Sequence, residues 1–385
     1  MSLLKNPTSP TFFRGKGLNQ FYLAVFIMAL GESLINIFVP IYLYLLGFSI
    51  VQILCFYLLD ALFFTMFSFL GSKITVKIGE KYVMLLSTPF LISYYLGLIF
   101  VDSYSILFFI LPLVFALRRI FFNYGYHLNY MKHSQQSKQG RELALLGIIT
   151  LLATMAAPYL GSLVATVNFP LLFIISSILI VLGTIPLFFL KDNPQKINFS
   201  LKSLLKKFID RENLGNMISF SGYAVESLIG RAIWPIFLII VIGALNKTGL
   251  IISLSMLISL LTFHVLGKLT DKIDKIKLLK IGTFLYVLAW IGRIFANTAN
   301  KILFIDSYKN FSEQIIHLPW AAQAYDLARR ENYFEFIVYR EIVFNLIRIV
   351  VFPVLIVVFL LNFYPFIFSF VLASIFSIGY IFIKE

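Results

Sequence analysis

Two glutamates sit deep inside apolar stretches. Glu32 is the one carboxylate of ALGESLINIFVPIYLYLLG, residues 29–47, and Glu226 opens ESLIGRAIWPIFL. Counted from Gln20, Glu32 lies twelve residues into its run, roughly 18 Å along a helix. Desolvation favours the neutral form of a carboxyl, so such a group can exchange protons, hold a polar solute, or serve as a static interhelical hydrogen-bond partner. Arg118 and Arg119, in FALRRIFFNYGYH, and Arg231, five residues after Glu226, are cations in similar surroundings. At about 100° per residue Glu226 and Arg231 point about 140° apart, so each needs a partner from another element. IDSYKNFSEQIIHLPW sets Asp306, Lys309, Asn310, Glu313 and His317 three or four residues apart, along one helix face. That stripe can face a wet cavity, which is the reading taken here, or form a ladder in which Lys309 bridges Asp306 and Glu313. Asp60, Asn36 and Tyr126 are secondary candidates, and Trp320 is a further aromatic that could meet a substrate. Arg293 is expected to snorkel to the outer interface, His127 to be a plain interfacial residue, and Arg348, with Glu341 and Asn345, to belong to a gate.

Membrane helices must position these groups. Hydrophobic residues are 60% of the 385 and charged residues 13%, a balance that a water-soluble core does not need. Apolar runs of about 20 residues, enough to cross a bilayer, recur at 20–46, 50–71, 82–101, 105–130, 142–167, 170–190, 214–244, 247–270, 276–297, 302–326, 337–361 and 363–383. The expectation is an all-α polytopic membrane protein of twelve helices. Lys and Arg collect in alternate connectors, such as Lys73, Lys77 and Lys81 or Lys268, Lys272 and Lys275, which puts both termini on the cytoplasmic side. The net charge of +14 follows mainly from that topology and calls for no nucleic-acid partner. The polar start precedes a span too long for a signal-peptide core, so no cleavage is expected. The single Cys55 excludes an intrachain disulfide, and no metal or other cofactor site is expected.

The chain repeats itself. ESLINIFVPIYL from Glu32 aligns with ESLIGRAIWPIFL from Glu226, with one residue inserted before the proline. SKITVKIGEK from Ser72 aligns with GKLTDKIDKI from Gly267, and RELALLGII from Arg141 with REIVFNLIRI from Arg340. Two six-helix bundles of like orientation follow, residues 1–190 and 214–385, joined by a basic linker, 191–213. Within it Leu201, Leu204, Leu205 and Phe208 make one side of an interfacial helix.

Over nearly its whole length the sequence resembles the major facilitator superfamily. Gly267, Leu269, Asp271 and Lys272 match that family's loop between its second and third helices of a bundle; in the first half Lys77, Gly79 and Lys81 fit, while Val76 stands in place of the aspartate. The fifth span resembles the small-residue and proline pattern of antiporter members at Ala153, Ala157, Pro158 and Gly161, although small residues also enrich any packed membrane face. The resemblance implies that spans 1, 4, 7 and 10 line a central cavity, gathering Glu32, Arg118 or Arg119, Glu226, Arg231 and Glu313 around one space.

The function expected is a secondary active transporter moving a small organic solute by alternating access, coupled to protons and leaning to export or antiport. An uncoupled facilitator of the same fold is the alternative; a polytopic enzyme lacks a catalytic constellation in this sequence, and a receptor would expect an added soluble domain. The mixed charges suit a zwitterion, an amphipathic organic ion or a polar neutral solute. Bilayer lipid is the surrounding partner, the chain is expected to be a monomer, and its composition suggests a prokaryotic cytoplasmic membrane.

Overall fold

In the computed structural model the described residues are 16–133, 139–189, 199–269 and 275–384. They are helical throughout: α1 Lys16–Ile35, α2 Phe38–Leu45, α3 Ile50–Ile78, α4 Glu80–Ile99, α5 Leu107–His133, α6 Gln139–Val167, α7 Phe169–Phe188, α8 Leu201–Ile209, α9 Leu214–Leu228, α10 Trp234–Ile242, α11 Leu245–Leu269, α12 Lys275–Gly292, α13 Ala299–Arg330, α14 Tyr333–Leu360 and α15 Pro365–Ser377. Among the described residues, ten helical segments are long and apolar enough to cross a membrane. α11 adds an apolar stretch, Leu245–Ser259. α13 has 32 residues and spans about 48 Å, but its many polar residues keep it out of that group.

Burial runs opposite to that of a water-soluble protein. Asp60, Arg118, Arg119, Glu226, Arg293 and Asp306 are buried, whereas Met66, Phe304 and Val350 are 72%, 74% and 66% exposed. Apolar side chains on the outside suit lipid, and charges inside need partners or a wet cavity.

Two spans are broken at corresponding places by proline chemistry. Pro40 has no N–H to give the carbonyl of Asn36, and α1 stops at Ile35 to resume as α2 at Phe38. Pro235 likewise leaves the carbonyl of Arg231 without its α-helical donor. Here the chain forms a π-turn over Ile229–Ile233, closed by the Trp234 N–H on the Ile229 carbonyl. The turn takes up the residue that ESLIGRAIWP carries beyond ESLINIFVP.

Helix ends are set by local chemistry. Ser49 and Gln52 form a capping box at the start of α3, and Gly79, at φ +86°, makes the turn from α3 to α4. α6 runs along α11 and α3 along α14, so these two seams join residues 16–189 to residues 214–384. The first seam is close: a Cβ on Gly249 would lie 2.3 Å from the Ser162 hydroxyl and 2.5 Å from the Pro158 carbonyl. α8 docks on the start of α14, with Leu204 buried and Phe208 edge-on to Tyr339 at 4.9 Å. Its Lys207 pairs with Glu331, while Leu201 and Leu205 stay exposed, so only half of its expected apolar side is covered by protein.

Candidate functional site

A cavity of about 410 Å³ lies between α1, α5, α9, α13 and α14. Successive residues of α5 face different neighbours, because adjacent side chains diverge by about 100°. Arg118 pairs with Glu32 of α1 and stacks over Phe122, 4.4 Å from its ring centre. Arg119 turns to α3, where it donates to Asp60 at 2.5 Å, and to Asn345 of α14 at 3.2 Å. One and two turns on, Asn123 donates to Glu341 at 2.9 Å, and His127 meets the Tyr325 hydroxyl at 2.6 Å. Arg340 donates to His127 Nε2 at 2.7 Å and to Glu341 at 3.0 Å. An imidazole nitrogen that accepts from a guanidinium carries no proton, so His127 is neutral and adds no charge here. Tyr333 completes the group by donating to the His127 carbonyl. α5 is thus clasped to α13 and α14 at one end of the cavity.

A second cavity, of about 290 Å³, opens between α9, α10, α11, α12 and α13. Glu226 accepts from Tyr286 at 2.7 Å and from Tyr380 at 3.0 Å; His317 Nε2 stands 3.9 Å away. Lys309 pairs with Glu313 at 2.7 Å. Arg293 pairs with Asp306 at 2.8 Å and is held between Trp234 and Trp290, 3.8 and 4.2 Å from their ring centres. Trp234 also donates to Asp306, at 3.1 Å, and Asn310 to Ser255, at 3.0 Å. Tyr223, Arg231 and His317 border both cavities.

The residues expected around one space line two adjoining cavities that share Tyr223, Arg231 and His317. Glu32, Asn36, Arg118, Arg119 and Tyr126 line the first cavity; Glu226, Asp306, Lys309, Asn310 and Glu313 line the second; Arg231 and His317 border both. Glu226 and Arg231 share a cavity because the π-turn between them closes one residue later than an α-turn and shifts their angular separation. Lys309 bonds Glu313 alone among these carboxylates, since Asp306 is taken by Arg293. Arg293 does not snorkel: it is 3% exposed, enclosed by the two tryptophans. His127 is not a plain interfacial residue, because α13 and α14 cover it. Asp60 borders a small recess beside the first cavity. Lys77 is exposed at the end of α3, with Gly79 in the turn that follows. Gly267 lies in α11, and Asp271 and Lys272 lie outside the described residues. Ala153, Ala157 and Gly161 are buried in helix contacts of α6.

Tyr286, Tyr380, Tyr325 and Arg340 were not singled out from sequence as site residues. Asn123 and His127 had a signal, for they continue the fourfold spacing of Arg119 on α5.

The profile of the Major Facilitator Superfamily matches residues 131–308. The crystal structure of the nucleoside transporter NupG is similar over 95% of this chain and 97% of its own, at 14% identity and a TM-score of 0.64. The crystal structure of the D-xylose-proton symporter is similar over 94% and 96%, at 12% identity and a TM-score of 0.70. No curated protein sequence matches. The chain thus shares the fold of these two structures. The profile match and the shared fold agree with the resemblance carried by the sequence motifs.

Proposed function

We propose that this chain is a secondary active transporter that moves a small organic solute by alternating access, with Glu226 as the group that takes up the coupling proton. The proposal includes twelve crossings in two bundles, residues 1–190 and 214–385, rocking about the two cavities, with residues 191–213 and both termini on the cytoplasmic side of a prokaryotic membrane. It takes the working unit to be a monomer. One observation carries the coupling: Glu226 is buried at a cavity wall and held by the neutral hydroxyls of Tyr286 and Tyr380. Glu32, by contrast, is neutralised by Arg118 and is assigned to shaping the first cavity. A proton on Glu226 changes its relations with Tyr286, Tyr380 and Tyr223, and with His317, Lys309 and Glu313 across the cavity. A bound proton shifts the equilibrium between the two facings only through such differences. That one similar structure is of a proton symporter and another of a nucleoside transporter supports coupled solute movement in this fold.

The small residues of α6 are explained by contact with neighbouring helices and by themselves favour neither export nor import. The test is transport into vesicles containing the purified protein and a pH dye, over a panel of sugars, nucleosides, amino acids and organic anions. Wild type is expected to accumulate its solute under an imposed pH gradient with matching proton flux. Glu226→Gln is expected to keep downhill exchange but lose accumulation. Accumulation by Glu226→Gln equal to that of wild type rules out this carboxyl as the coupling group. Downhill movement with no proton flux in wild type selects the uncoupled facilitator instead.

A further inference from the structure

We infer that the solute is an organic anion and that Arg231 and Arg348 hold its carboxylate or phosphate group. This rests on the transporter reading and assigns its substrate class. Five guanidiniums line the first cavity: Arg118, Arg119, Arg231, Arg340 and Arg348. Three have carboxylate partners, Arg118 on Glu32, Arg119 on Asp60 and Arg340 on Glu341.

Among the described residues the other two have no carboxylate partner. Arg348 is buried and donates only to neutral oxygens: Ser227 at 2.9 Å, Asn345 at 3.4 Å and the Ala224 carbonyl at 3.5 Å. Arg231 is exposed to the cavities and has no hydrogen bond or ion pair among the described residues. Both also border the recess beside Asp60 and Arg119, which puts them on the same wall. In the second cavity Asp306 and Glu313 pair with Arg293 and Lys309, and Glu226 is hydrogen-bonded by two tyrosines and by no arginine among the described residues.

Two guanidiniums that face a cavity, neither with a carboxylate within ion-pair distance among the described residues, suit an anion there. The planar fork of a guanidinium matches the oxygens of a carboxylate or phosphate. A neutral solute would leave both cations bare, and a cationic one would add to them. Tyr223 stacks on Trp320 at 5.3 Å and meets Phe344 at 4.8 Å, giving the same cavity an apolar wall for the body of the molecule. At about 410 Å³ it has the size of a small-molecule site.

The experiment uses the full chain purified in detergent. Its probes are benzoate and phenyl phosphate as ring-bearing anions, succinate as a dicarboxylate, glucose and uridine as neutral solutes, and choline as a cation. Binding is read by thermal shift and titration, and movement by flux into vesicles. At least one anion is expected to stabilise wild type, and Arg231→Gln and Arg348→Gln each to weaken it by tenfold or more. Exposed Lys301, as Lys301→Gln, is expected to leave binding unchanged. Benzoate against phenyl phosphate tells which headgroup fits. Because Arg231 contacts no described side chain by hydrogen bond, Arg231→Gln should fold even if Arg348→Gln does not. Equal anion affinity in wild type and Arg231→Gln overturns the inference. Movement of glucose or uridine with no anion bound overturns it too, and leaves the transporter reading standing. An anion bound at Arg231 but never carried keeps this site and overturns the transporter reading.

Discussion

Arg119 is enclosed by protein, and Asp60 is its carboxylate partner, at 2.5 Å. Removing one member of a buried pair strands the other charge and costs about 3–5 kcal/mol. Asp60→Asn and Arg119→Gln are each expected to lower the unfolding temperature in detergent by several degrees, and the double variant to recover part of the loss. A loss in the double variant equal to the sum of the two single losses would show that the two side chains do not act as a pair. That Arg118 and Arg119 lie inside an apolar span was legible in FALRRIFF, but their division of labour was not: neighbours on a helix point apart, and which meets Glu32 depends on where α1 and α3 lie. His127 was misread for a related reason. Distance from a helix end measures depth along one helix, whereas this side chain is covered by α13 and α14 from the other half of the sequence. Arg293 was misread because one enclosing tryptophan, Trp234, comes from α10 and its carboxylate partner, Asp306, from α13.

Helices α1 and α6 meet closely at one point. A Cβ on Gly161 would stand 2.2 Å from the Leu34 carbonyl oxygen, and that oxygen belongs to backbone that cannot swing aside. Gly161→Ala is therefore expected to cost about 1–3 kcal/mol, read as a lower unfolding temperature, with yield falling before solute binding does. An unchanged unfolding temperature would mean that the two helices separate freely there. The glycine was legible as one of a row of small residues, and the structure supplies the neighbour that explains it. The inserted residue ahead of Pro235 was also visible in the repeat. Its expression as a π-turn was not, because a sequence comparison shows an extra residue without showing which hydrogen bonds stretch to admit it. The linker helix α8 divides its apolar residues between α14 and the outside, a split that depends on a docking partner more than a hundred residues away.

Taken together, the described helices form two groups in contact along α3 with α14 and α6 with α11, with polar cavities near the seam and a polar clasp of α5 with α13 and α14 at one end. The class of molecule was legible because lipid demands long apolar helices; the division into two cavities was not, since it depends on how facing helices share their charged side chains. The bare guanidiniums of Arg231 and Arg348 carry one more consequence, electrical in kind. If the chain works by alternating access as proposed, the membrane field falls first on one side of the central groups and then on the other, so surplus charge there feels the voltage at each swing. A full elementary charge crossing 100 mV changes the free energy by about 2.3 kcal/mol. An anion in place cancels part of that charge, so voltage should act chiefly on the return of the empty carrier. Solute-free protein on a solid-supported membrane is expected to give a transient current after a voltage step, smaller in Arg231→Gln. An identical current in that variant would mean that Arg231 stays outside the moving field. A smaller current in Arg231→Gln would mean that the resting potential of the cell sets the pace at which an unloaded carrier comes back for its next passenger.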